Sequence, residues 1–143
     1  MATTPDGALS TIRALSHNGN TCRYRAGEAI FRSGEPGDCL YGIVSGSVAD
    51  DWAEGRMRET LGPGSCFGVG ALVDPKHRRY GNAVALSDAD VLVMNREQFL
   101  FALQELPLFG LEMLQALDER LRHLKASALV LDADQQTGAH LAG

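Results

Sequence analysis

The stretch from Cys66 to Ala85 holds the residues best placed to bind an anion. Gly68 and Gly70 lead into a short apolar turn, Ala71-Leu72-Val73, and a basic cluster follows at Lys76, His77, Arg78 and Arg79. The amides of Gly68, Val69, Gly70, Ala71 and Leu72 can open a short helix, whose first N–H groups lack intrahelical acceptors and are partly positive. Glycine lets the backbone close on an anion, and an arginine returning from the next loop would complete a phosphate cradle. The same composition also describes a solvated basic loop, so the spacing alone leaves both readings open.

Other chemistries find less support. Cys22, Cys39 and Cys66 are odd in number and far apart, with no CxxC pair, which predicts reduced thiols in or near a core and no metal site. Of His17, His77, His123 and His140, only His77 falls near the strand-rich region. A cupin-type enzyme would need His and Glu clustered on adjacent strands, and a haem sensor built on His77 and Cys66 lacks a second ligand by spacing. No nucleophile–base pair is visible, so catalysis is not expected. The formal net charge of −5 argues against a nucleic-acid surface. The basic run Arg120 to Lys125 reads as a solvated helix face. Neither a membrane span nor a signal peptide is apparent, which makes the cytoplasm the default.

The elements that must position this stretch are short. At 143 residues the chain makes one domain. Residues 1 to 8 read as a frayed start, and Leu9 to Leu15 as a short helix with Leu9, Ile12 and Leu15 on one side. From Thr21, β-rich segments alternate with turn residues every 8 to 12 positions, as in an antiparallel sandwich or barrel. The expected strands are Thr21–Arg25, Ala29–Arg32, Cys39–Ser45, Ser47–Trp52, Arg56–Leu61, Cys66–Gly68, Ala83–Leu86 and Val91–Met94. Turns fall at Gly34-Glu-Pro-Gly37, Ser45-Gly46, Glu54-Gly55, Gly62-Pro-Gly64 and Ser87–Asp90.

Landmarks recur in a recognisable order: Ala26-Gly-Glu-Ala-Ile-Phe31, Gly34-Glu-Pro-Gly-Asp38, Leu40-Tyr41, Ser45-Gly46-Ser47-Val48 and Phe67-Gly68. Tyr24 to Met94 thereby resembles the cyclic nucleotide-binding domain of the catabolite activator and kinase regulatory-subunit superfamily. The resemblance implies a mainly β jelly roll (a double-stranded β-helix) with flanking helices, and it makes the opening stretch a phosphate-binding cassette. The family arginine that pairs with a cyclic phosphate falls on Arg79, with Arg78 one register away. Where members show Phe-Gly-Glu, with the glutamate accepting from the ribose 2′-hydroxyl, this chain has Val69. Where a small residue usually follows the arginine, it has Tyr80.

A helical region follows, with Asn95 as N-cap and Pro107 opening a second helix. Leu114, Leu117, Leu121, Leu124, Ala128 and Leu131 repeat at alternating spacings of three and four, a heptad seam that favours a two-helix dimer interface over packing on its own domain. The expected organisation is an N-terminal segment (1–20), a jelly roll (21–95), dimerising helices (96–131) and a tail (132–143). Bacterial regulators of the resembled family continue into a helix-turn-helix, for which the tail is too short, so direct DNA binding is not expected.

Three readings stand. The first is a sensor whose ligand, a cyclic nucleotide or another phosphate compound, is held by Gly68 to Leu72, Arg79 and Tyr80. The second is a ligand-free dimeric scaffold with Tyr80 filling the site, acting through protein partners. The third is the haem sensor.

Overall fold

Strand segments with inward and outward residues in alternation make the frame: β1 (Thr21–Tyr24), β2 (Ala29–Phe31), β3 (Cys39–Ser45), β4 (Val48–Trp52), β5 (Met57–Leu61), β6 (Cys66–Phe67), β7 (Asn82–Ala85) and β8 (Ala89–Asn95). The helices are α1 (Gly7–Leu15), α2 (Gly70–Val73), α3 (Arg96–Glu105) and α4 (Pro107–Ala142). The computed structural model describes residues 7–16 and 21–142, with side chains through residue 130. Two four-stranded antiparallel sheets, ordered β1-β8-β3-β6 and β2-β7-β4-β5, face each other as a jelly roll. Each expected strand is present to within a residue or two.

The period of two along β3 and β8 divides the interior. Tyr41, Ile43, Val91 and Ala89 turn inward and meet Phe31, Val48, Leu61 and Phe67 between the sheets. Leu40, Leu92 and Met94 turn outward and are covered by Leu9 and Ile12 of α1, Phe99 and Ala102 of α3, and Phe109 and Met113 of α4. Gly42 faces that second layer, and a Cβ there would run into Leu9, so the missing side chain lets α1 lie close on β3.

Two boundaries differ from the sequence reading. Helix α1 begins at Gly7 and buries Ala8, so the start expected to fray is partly ordered by core packing; residues 1–6 lie outside the described set. Helix α4 continues to Ala142 through the residues read as a tail. Nothing from Asp132 to Thr137 breaks a helix, the segment lacking both proline and glycine. Asn95 caps α3 as expected, in a reciprocal box: its side chain accepts from the Gln98 amide at 2.9 Å, and Gln98 accepts from the Asn95 amide at 2.9 Å. Among the described residues no single helix is long and apolar enough to cross a membrane.

A candidate anion site beneath the long helix

The loop after α2 is folded so that one arginine turns in and its neighbour turns out. Asp74 starts the turn, its carboxylate accepting from the amides of Lys76 at 3.0 Å and Arg78 at 3.4 Å. The loop then ties to the Gly34–Gly37 turn: Gly37 N–H donates to His77 O, Arg79 N–H to Glu35 O, and Gly34 N–H to Arg79 O. His77 adopts a left-handed backbone (φ 53°) and its Nδ1–H donates to the Ala71 carbonyl at 2.9 Å, so the ring braces the end of α2. Arg78 is exposed and donates to Gly34 O at 3.1 Å. Arg79 points into the barrel and is only 5% exposed.

The surroundings of Arg79 are neutral. Its guanidinium donates to Gly68 O at 2.7 Å, to Cys39 O at 2.8 Å and to the Cys39 sulfur at 3.5 Å. It lies 4.3 Å from the centre of the Phe31 ring and 5.7 Å from that of Tyr41. No carboxylate pairs with it among the described residues. Burial, reinforced by the neighbouring Cys39, holds the Tyr41 hydroxyl well above the usual phenol range, so it supplies no negative charge. The Cys66 thiol, in the other core layer near Arg120, is pushed up to about 11 by burial. A buried cation normally has an anionic partner, because desolvating it alone costs several kcal/mol. Among the described residues Arg79 has no such partner.

Two glycines make room for this arginine. A Cβ on Gly37 would overlap the guanidinium, and one on Gly68 would come within 2.9 Å of a terminal nitrogen. Gly68 also has φ +84°, a region L side chains rarely adopt. Gly68→Ala is therefore expected to lower stability by about 1–2 kcal/mol from the backbone alone, read as a lower urea midpoint at unchanged slope. An unshifted midpoint would mean that the loop rearranges freely around Arg79.

Arg79 opens onto a cavity of about 320 Å³ whose walls are Phe31, Asp50, Trp52, Gly68, Val69, Gly70, Ala71, Tyr80 and Gly81, roofed by Leu117, Arg120, Leu121 and Leu124 of α4. Gly68, Val69, Gly70, Ala71, Arg79 and Tyr80 are thus together, as the sequence suggested. Leu72 is a correction. It is buried in the core layer that the sheet shares with α1, α3 and α4, and its amide already donates to Val69 O at 2.9 Å. Tyr80 stands at the rim, 82% exposed, and does not fill the site.

The roof is fastened by a residue that the sequence reading placed in solvent. The turn at Ala53, Glu54 and Gly55, all with positive φ, sets the β4–β5 register so that Asp50 lies directly opposite Glu59. Like charges so placed repel. Arg120 of α4 relieves this, donating from Nε to Glu59 at 3.1 Å and from a terminal nitrogen to Glu59 at 2.7 Å and Asp50 at 3.3 Å. Its other terminal nitrogen donates to Cys66 O at 2.9 Å. Arg120 is thus a tether, not part of a solvated face. Burial pushes the Asp50 carboxyl upward and Arg120 opposes that shift. Strand β6 is consequently gripped on both sides, by Arg120 at Cys66 O and by Arg79 at the following Gly68 O. A sequence cue existed: Asp50 and Glu59 each sit on an otherwise apolar strand face beside Val48 and Leu61.

The heptad positions remain largely uncovered by their own barrel. Leu114 is 66% and Leu121 47% exposed, Ala128 is exposed, and Leu117 and Leu124 are half-buried over the cavity.

Comparison with known proteins places this architecture. The chain is 35% identical over 103 residues to the cyclic AMP receptor protein of Thermus thermophilus, spanning 69% of this chain and 47% of that protein. It is 38% identical over 73 residues to the cAMP-dependent protein kinase regulatory subunit of Eremothecium gossypii, 51% of this chain and 16% of that protein. The crystal structure of the Thermus thermophilus catabolite activator protein superimposes with a TM-score of 0.68 at 28% identity, covering 90% of this chain and 63% of that one. The chain spans about half, or less, of the length of the two curated relatives, and it is regulatory proteins that it resembles. The profile of the cyclic nucleotide-binding domain matches residues 21–105. With more than half of its residues inside that match, the chain belongs to the cyclic nucleotide-binding domain family.

Proposed function

We propose that this chain is a non-catalytic sensor module that binds a small phosphate-bearing ligand under α4 and signals through a pair of such helices. The observation that carries the reading is Arg79, buried, hydrogen-bonded only to neutral groups and open to a cavity. A phosphate would supply the missing negative charge through charge-assisted hydrogen bonds. Trp52, Tyr80 and the roof leucines offer apolar surface for a base. Arg79 and Arg120 grip adjoining carbonyls of β6 and its exit, so a ligand that draws Arg79 off Gly68 O alters a segment tied directly to the long helix.

Val69 leaves a ribose 2′-hydroxyl without the carboxylate that the family's motif provides. One such hydrogen bond is worth about 1–3 kcal/mol, or roughly one to two powers of ten in affinity. Calorimetric titration with cyclic AMP and cyclic GMP is expected to show weak binding, micromolar or poorer. Absence of binding by either nucleotide, together with an unchanged melting temperature at millimolar ligand, would overturn the sensor reading and leave the ligand-free scaffold.

A further inference from the structure

The cavity is lined by charges of both signs. One is Arg79, a cation with no carboxylate partner among the described residues. The wall formed by β4 carries Asp50, the one carboxylate lining the cavity among the described residues. Asp50 shares Arg120 unequally with Glu59. Glu59 receives two donors from the guanidinium, the shorter at 2.7 Å, whereas Asp50 is reached by a single contact at 3.3 Å through Oδ2. Its side chain retains about a fifth of its exposure (21%), and its one hydrogen bond among the described residues is the Arg120 contact at Oδ2. Two acids facing one guanidinium leave an excess negative charge on this wall. An acceptor that is partly desolvated and incompletely paired gains from any donor that reaches it.

We propose that Asp50 is a specificity-determining residue of the site: it accepts a hydrogen bond from an amino or hydroxyl group that the ligand carries away from its phosphate. The inference rests on the anion reading above and adds the ligand's second pole. The cavity selects a bipolar molecule, anionic where it meets Arg79 and donor-bearing where it meets Asp50. A phosphate compound whose far end offers only acceptors leaves Asp50 facing unpaired lone pairs and binds worse. Asp50 also supplies a negatively charged acceptor in a cavity where Val69 supplies none.

The test measures the affinities of wild type, Asp50→Ala, Glu59→Gln and Arg79→Ala for cyclic AMP and two analogues, each lacking one donor: the 2′-deoxy nucleotide and the purine riboside nucleotide, which carries hydrogen in place of the 6-amino group. Wild type is expected to prefer cyclic AMP at least tenfold over one analogue. Asp50→Ala should reduce that ratio to about twofold or less. Glu59→Gln loosens Arg120 without removing the acceptor and should keep the ratio, which separates recognition from a merely structural effect. Equal losses for all probes in Asp50→Ala, an unchanged ratio, or a wild type that does not discriminate would overturn the role of Asp50. In those cases a large loss in Arg79→Ala would leave the anion site standing. Failure of wild type to bind any of the three would remove both.

Discussion

Arg79→Ala is expected to weaken a phosphate-bearing ligand by about two powers of ten or more, while Arg78→Ala changes affinity less than threefold. The estimate follows from removing two charge-assisted hydrogen bonds, each worth about 1.5–3 kcal/mol, with tenfold in affinity for every 1.4 kcal/mol. Arg78 donates to Gly34 O on the outside and has no access to the cavity. The alanine variant also strips donors from the buried carbonyls of Gly68 and Cys39, so its folding must be checked. Arg79→Lys keeps the charge but cannot reach both carbonyls and a ligand in one plane. It is expected to bind at an intermediate level. Equal affinities for Arg79→Ala and wild type in isothermal titration, with Arg78→Ala impaired, would move the binding arginine by one register.

Leu121→Asp combined with Leu124→Asp is expected to convert a dimer into a folded monomer. The sequence makes a heptad stripe, and the barrel leaves much of it open, with Leu114 and Leu121 the most exposed. Burying such leucines contributes up to about 1.5–3 kcal/mol each, which a second copy of α4 would provide across a twofold seam. Two aspartates placed there face their own copies at close range. Phe109 and Met113, which hold α4 to the barrel, are untouched, so the β-sheet signal in circular dichroism should persist. Light scattering at tens of micromolar reads the outcome. A monomeric wild type would show that the stripe is not a self-association surface. Leu121 and Leu124 also roof the cavity, so the variant should lose ligand affinity along with its partner.

Most of the fold could be read from local rules. Period-two alternation in β3 and β8, the glycines at the turns, the Asn95 cap and Pro107 at the head of α4 are each encoded within a few residues. The candidate site was legible where glycine and arginine share one loop, and the turn locked by Asp74 settles which arginine faces inward. The rest depends on contacts between distant segments. Gly37 reads as a turn residue, yet it is needed because a side chain brought near from residue 79 requires the space. Arg120 reads as surface in a basic run, and only the pairing of Asp50 with Glu59 shows why a cation is wanted there. Leu72 lies within the cassette but on the far side of α2, and a four-residue helix gives too little periodicity to assign its face. Helix α4 runs on past the expected boundary at residue 131 because polarity alone does not end a helix.

Amide and Arg side-chain chemical-shift mapping during titration with cyclic AMP tests the central claim most directly, because it reports where a ligand sits as well as whether it binds. The largest shifts are expected on Gly37, Gly68, Gly70 and the Arg79 Nε–H, with smaller ones at Cys66 and Arg120. Shifts confined to the separate cleft lined by Gly7 and Ala8 of α1, Glu59 and Thr60 of β5, and Gln115 and Glu119 of α4, with the Arg79 signal unmoved at saturation, would contradict that claim.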